Sequence, residues 1–127
     1  MKDGGKKISD AEWLVCQVLW QKAPRTANQV VDALAGKTHW KPRTIKTLLN
    51  RLVKKRVLAY HAEGREYRYY PLVTQTEYVR AETRSFIERV FGGTVKPMLA
   101  AFLDDQQLSE QELAEIRQLL ESKTRGR

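Results

Sequence analysis

Seven cationic side chains crowd residues 41–56, KPRTIKTLLNRLVKKR: Lys41, Arg43, Lys46, Arg51, Lys54, Lys55 and Arg56. No acid stands among them. Ile45, Leu48, Leu49 and Leu52 fall at i, i+3, i+4 and i+7, so a helix here has one apolar face. The other face then presents cations together with Thr44, Thr47 and Asn50. Ordinary surfaces mix both signs. A face of one sign, carrying short hydrogen-bonding groups, suits phosphates and base edges. Arg and Lys can pair with guanine O6 and N7, and a threonine methyl can touch a thymine methyl.

The rest of the chain offers no competing chemistry. Asp104 and Asp105 are neighbours at an expected helix end, and Glu110, Glu112 and Glu115 are surface acids that favour a helix N-terminus. No Ser/His/Asp set, phosphate loop or zinc-protease motif is present, so an enzyme is not expected. His39 and His61 have no Cys, carboxylate or second His at ligand spacing, so neither a metal nor another cofactor is expected. Cys16 is the one cysteine, which excludes an internal disulfide, and its apolar surroundings point to an inert buried thiol.

The charge is unevenly spread. The 127 residues carry a net +8. Met1–Pro71 holds 15 Lys/Arg against 6 Asp/Glu, a balance of +9; Leu72–Arg127 holds 8 against 9, a balance of −1. A polyanion-binding lobe followed by a lobe with a different task is the expected organisation, divided as 1–73 and 74–127. No run is apolar enough to span a membrane and no signal peptide or lipidation motif appears, so membrane insertion is not expected and a cytoplasmic location is.

The elements that must position this face are legible. Met1–Lys7 is a polar, Gly-containing arm expected to fray. Ser9-x-x-Glu12 is a capping box opening a helix that runs to Trp20, with Trp13, Leu14, Val18, Leu19 and Trp20 as core candidates. Pro24 marks a break. Thr26-x-x-Gln29 opens a second helix, with Ala27, Val30, Val31 and Leu34 on one face and Gly36 as its expected stop. Pro42 suits the first turn of the third. Val57–Ala62 and Arg65–Leu72 then read as strands joined at Glu63-Gly64, where glycine supplies the positive φ of a hairpin. Three helices followed by a hairpin give the winged helix-turn-helix order. The third helix would enter the major groove, with the hairpin as wing.

On that helix Arg43, Thr44, Lys46 and Thr47 are the candidates for base edges or nearby phosphates. Asn50 and Arg51 lie a turn further on and suit phosphates, and Lys54, Lys55 and Arg56 are electrostatic candidates; Lys41 precedes the helix. In the wing, Arg65 and Arg68 lie near the tip. Tyr60, Tyr67, Tyr69 and Tyr70 form a dense group, and packing of the hairpin onto the helices is the reading for most of them.

Beyond the wing, Thr74-x-x-Glu77 opens a helix to Phe91 that Gly92-Gly93 ends. Val95, Met98, Leu99, Phe102 and Leu103 stripe a further helix. Ser109-x-x-Glu112 opens the last, striped by Leu113, Ile116, Leu119 and Leu120 and followed by a basic tail, Lys123–Arg127, expected to fray. Three such helices are too short to bury a core alone, so a second copy is expected to complete it, with Phe86 and Val90 contributing from the fourth helix. The expected fold is thus mainly α with a small β-hairpin wing, a winged helix-turn-helix followed by a helical dimerisation lobe. A two-fold dimer would read an inverted repeat in double-stranded DNA.

Ile8–Trp13, Val18-Leu19-Trp20, Trp40–Leu52, Tyr69–Val73, Phe86-Ile87, Gly92-Gly93 and Leu108-Ser109 together resemble the penicillinase repressor family, BlaI/MecI. The resemblance covers nearly the whole chain. It implies a homodimeric winged-helix repressor of β-lactamase or related resistance genes, binding operators of a TACA/TGTA type. It also implies release through a membrane-bound sensor metalloprotease pathway that cuts the dimerisation lobe at an Asn-Phe pair. Ala101-Phe102 stands at that candidate cleavage site, and Lys41 stands where relatives often have Ser before the recognition helix. A copper-responsive branch of such repressors ends in a cysteine-rich motif, which this chain lacks. Two other readings stay open at the level of sequence: a winged-helix protein-interaction module, and an architectural DNA binder without sequence choice.

Overall fold

A computed structural model of the chain describes residues 7–105 and 107–125. The expected N-terminal arm, apart from Lys7, and the last two residues of the expected tail lie outside them. Six helices and three strands follow in the order α1 (Asp10–Gln21), β1 (Arg25–Thr26), α2 (Ala27–Leu34), α3 (Pro42–Lys54), β2 (Leu58–Glu63), β3 (Glu66–Pro71), α4 (Gln75–Phe91), α5 (Val95–Asp105) and α6 (Glu110–Arg125). The chain divides into two compact units between Thr83 and Arg84.

The first unit is built from capped helices around one core. Ser9 Oγ accepts from the Glu12 amide at 3.1 Å, and the Ser9 amide donates to Glu12 Oε1 at 2.8 Å. Thr26 and Gln29 repeat the exchange at the start of α2, at 3.2 and 2.8 Å. Each box satisfies two amides that the helix cannot. Val15, Cys16, Val18 and Leu19 of α1 close on Val30 and Leu34 of α2 and on the apolar face of α3. Burial pushes the Cys16 thiol up to about 12, with the Glu12 carboxylate adding to it, so the thiol is inert. Val57, Leu58 and Tyr69 close the core from the sheet side.

The wing is more than a hairpin. β1 pairs antiparallel with β3, Arg25 opposite Tyr69 and Thr26 opposite Arg68, giving the strand order β1-β3-β2. The sequence showed only a break at this place, because two residues are too few to reveal alternation. The hairpin closes through Gly64 and Arg65, between the paired Glu63 and Glu66. Positive φ occurs at Gly64 (+64°) but not at Arg65, the pattern of a type II′ turn, which carries glycine first.

Two helix ends differ from expectation. Gly36 is not left-handed; α2 ends instead in a turn in which the Lys37 and Thr38 amides both donate to the Leu34 carbonyl at 3.0 Å. The left-handed stop belongs to α3, where it falls on Arg56 (φ +64°). The Arg56 amide donates to Val53 O and the Val57 amide to Leu52 O, each at 3.0 Å, which is a Schellman closure.

The start of α4 belongs to the first unit. Trp13 and Trp20 meet edge to face at 5.2 Å, and the Tyr78 ring lies 5.8 and 6.2 Å from them. Tyr78 Oη accepts from the Ile8 amide at 3.1 Å, and Trp20 Nε1 donates to Val73 O at 2.9 Å. These contacts explain why the structural division comes later than Val73.

The second unit has a different character. Gly92 and Gly93, at φ +65° and +92°, end α4 as expected. Ser109 and Glu112 form the last capping box, both bonds at 3.0 Å. The basic tail is helical as far as Arg125, correcting the expected fraying over Lys123–Arg125. No residue of α5 or α6 is buried. Phe86, Val90, Val95, Phe102 and Leu103 stay exposed, as do Leu113, Leu119 and Leu120, while Met98, Leu99 and Ile116 are half-buried.

Candidate nucleic-acid interface

Helix α3 is the candidate interface because its two faces are chemically opposite. Ile45, Leu48, Leu49 and Leu52 are buried. Arg43, Lys46, Thr47, Asn50, Arg51 and Lys54, spaced by three and four, are all exposed and form one stripe. At 1.5 Å per residue the stripe runs about 16 Å along the helix, a length that suits a groove roughly 12 Å wide. Thr44 is exposed at its edge and Lys41 at its N-terminal end. Lys41 is the N-cap and makes no side-chain capping bond, so its ammonium is available. Pro42 occupies the first turn, where the missing N–H costs nothing.

The stripe is electrostatically uncompensated. Among the described residues the ion pairs are Lys55–Glu12, Arg68–Glu63 and Arg125–Glu121. None of them touches Lys41, Arg43, Lys46, Arg51 or Lys54. In the last turn Arg51 and Lys54 also complement the negative end of the helix dipole.

Two residues expected at this surface have other partners. Lys55 is turned inward: its Nζ donates to Glu12 Oε1 at 2.6 Å and to the Lys7 carbonyl at 3.0 Å. It sits three residues after Leu52 and so continues the buried face of α3. Its charge neutralises Glu12, which is 2% exposed, and Lys55 is withdrawn from the set of phosphate-seeking cations. Burial by itself raises the Glu12 carboxyl, but the Lys55 ammonium and the Ser9 amide outweigh it and hold the group below its ordinary value. Arg68 Nε donates to Glu63 Oε1 at 2.7 Å, so its charge is partly met within the wing. Arg65, in the two-residue turn, is exposed and takes part in none of these pairs.

The tyrosines divide. Tyr69 is buried and Tyr70 half-buried, as packing required. Tyr60 and Tyr67 are instead 43% and 49% exposed, stacked on one another at 4.3 Å. Packing does not account for them, which corrects the reading for this pair. Only for Tyr67 was the signal present in the sequence as position: it lies next to the turn, whereas Tyr60 lies opposite Tyr69 in the middle of the hairpin. His39 and His61 are exposed, and among the described residues no group of three His, Cys, Asp or Glu side chains could hold a metal. No helix among them is long and apolar enough to cross a membrane.

With this geometry in view, residues 8–122 match the family model described as penicillinase repressor. The chain is 39% identical over 115 residues to the penicillinase repressor of Bacillus licheniformis, covering 91% of this chain and 90% of that one. It is 31% identical over 117 residues to the methicillin resistance regulatory protein MecI of Staphylococcus aureus strain N315, covering 92% and 95%. Among solved structures it resembles the DNA-binding domain of the repressor BlaI, with a TM-score of 0.53 and 40% identity over 57% of this chain and 89% of that one. It also resembles Bacillus licheniformis BlaI in monomeric form in complex with the blaP half-operator, with a TM-score of 0.50 and 40% identity over 57% and 88%.

Proposed function

The chain belongs to the penicillinase repressor family, and from that premise we propose that it represses transcription as a homodimer seated on an inverted-repeat operator. It is a DNA-binding transcriptional repressor and not an enzyme. The observation that carries the finer reading is the exposed stripe of α3, whose cations take part in none of the ion pairs among the described residues.

Arg43, Thr44, Lys46 and Thr47 lie in the first half of α3, the end that reads bases in helix-turn-helix proteins. We assign them to base edges and adjoining phosphates. Asn50, Arg51, Lys54, Lys41 and Arg65 are assigned to the backbone. The Bacillus licheniformis BlaI structure is of a monomeric form in complex with a half-operator, which supports one winged-helix lobe per half-site here.

The functional division is a DNA-binding lobe over 1–73 and a dimerisation lobe over 74–127. Its support is the uncovered apolar surface of α4, α5 and α6: Leu119, for example, is 67% exposed in the single chain. Exposed apolar surface on this scale marks an association site. Joining two half-site binders raises operator affinity far above that of either alone, so loss of the dimer releases DNA without touching a single DNA contact.

Control of β-lactamase or related resistance genes, from the cytoplasm, follows the family scheme. Release through a sensor metalloprotease would act at Ala101–Phe102. That bond lies inside α5, so a protease must first unwind the helix, and Ala stands in place of the family's Asn.

The test is selection of duplexes from a random pool, followed by gel-shift titration of the winner against scrambled DNA at physiological salt. An inverted repeat bound by two chains, with scrambled DNA bound far more weakly, is the expected result. Equal affinity for both duplexes would replace the repressor mechanism with architectural binding, and no DNA binding would replace it with a protein-interaction role.

A further inference from the structure

We propose that Tyr60 and Tyr67 form an aromatic shelf on the wing that grips the sugar-phosphate backbone beside the groove occupied by α3. The inference rests on the DNA-binding reading above and adds two contacts to it.

The register places these rings. Leu58, Tyr60 and Ala62 alternate onto one face of β2, and their partners on β3 are Pro71, Tyr69 and Tyr67. Leu58 and Tyr69 on that face are buried in the helical core, so the face is the one turned towards the helices. Tyr60, opposite Tyr69 on the edge strand, and Tyr67, next to the hairpin turn, remain about half exposed on the same face. They are nonetheless ordered against each other, at 4.3 Å and 22°, and Tyr60 leans on buried Tyr69 at 5.7 Å. Two large rings thus stand in water on a rigid support.

Charge selects the occupant. Arg25 lies opposite Tyr69 across the β1–β3 pair, and so on the same face. Arg65 lies in the adjoining turn. The exposed cations of α3 belong to the same compact unit. A polyanion fits a shelf flanked in this way, and an apolar protein partner does not. Tyrosine suits a nucleic-acid backbone in particular, because the ring packs on deoxyribose while the hydroxyl donates to a phosphate oxygen. Such contacts fix register on the duplex and carry no sequence information.

The experiment uses the full chain, the duplex selected above and a scrambled duplex, with binding followed by fluorescence anisotropy across a salt series. The double variant Tyr60→Phe/Tyr67→Phe keeps both rings and removes only the hydroxyls. Its affinity is expected to fall about tenfold or more on both duplexes by the same factor, with an unchanged salt slope, because neutral donors release no counterions. The single variants Tyr60→Phe and Tyr67→Phe are each expected to show part of that loss, and thermal melts equal to wild type set misfolding aside. Wild-type affinity in the double variant overturns the proposal while leaving the repressor reading intact. A loss confined to the selected duplex overturns it too, since that would be base readout. Failure of the wild-type chain to bind either duplex overturns both readings together.

Discussion

Lys55 Nζ lies 2.6 Å from Glu12 Oε1 and ties the end of α3 to the start of α1. Glu12 also holds the Ser9 amide, and Lys55 holds the Lys7 carbonyl, so one buried carboxylate joins a helix cap, the chain entering α1 and α3. Lys54, its neighbour in sequence, is exposed and pairs with none of these groups. Adjacent lysines therefore lie in opposite surroundings.

Removing Lys55 leaves a buried carboxylate without its counter-charge. Lys55→Ala is expected to destabilise the fold by about 2 kcal/mol, below the range for a wholly buried pair because the lysine side chain is about a third exposed. Glu12→Gln should cost less, since an amide oxygen can still accept from Ser9. Chemical denaturation of both variants checks the order, and a smaller loss for Lys55→Ala than for Glu12→Gln would reverse the assignment.

The same carboxylate makes stability depend on pH. Its value is held below the ordinary one, so its contribution is complete above the unfolded-state value and drains away as pH falls through the lower folded-state value. Wild-type stability is expected to drop on acidification in that window. Glu12→Gln should flatten this part of the curve, as read by denaturant midpoints across the acid range.

Salt dependence separates the two lysines on DNA. Lys54→Ala should lower affinity for all sequences alike and reduce the log–log salt slope by about 0.9, the share of one phosphate. Lys55→Ala should leave the slope unchanged. Thr44→Ala and Lys46→Ala should instead relax preference at one operator position, each costing about 1–3 kcal/mol there. Equal losses on operator and scrambled DNA would move Thr44 and Lys46 to the backbone set.

Arg56 occupies a left-handed position that glycine would hold without steric cost. Arg56→Gly is expected to stabilise the fold by about 0.5–1 kcal/mol, the strain relieved exceeding the extra entropy of the unfolded chain. Thermal melts of the two proteins at equal concentration provide the comparison.

Dimerisation can be probed without touching the winged helix. Leu119→Glu is expected to be nearly neutral for an isolated chain, within about 0.5 kcal/mol, because the site is exposed there. In a dimer the same change buries a charge. Sedimentation should then show monomers, full-operator affinity should collapse and half-site affinity should persist. A variant that stays dimeric would move the interface away from this stripe.

The sequence by itself determined the helices, four of their N-terminal capping boxes and the basic face of α3. Capping boxes at Ser9, Thr26, Thr74 and Ser109, glycines at 64, 92 and 93, and the spacing of Ile45, Leu48, Leu49 and Leu52 all act within a few residues of chain. Local interactions of this kind can be read from spacing alone. Contacts between residues far apart in the chain could not be read in that way. β1 exists because Arg25 and Thr26 meet β3, and Lys55 belongs to the interior because Glu12 lies 43 residues away in sequence and 2.6 Å away in space. Tyr69 is buried on the central strand, whereas Tyr60, opposite it on the edge strand, and Tyr67, next to the turn, are not. Charge and aromaticity are properties of residues, but whether a charge is spent internally or a ring is covered depends on what the fold brings against it.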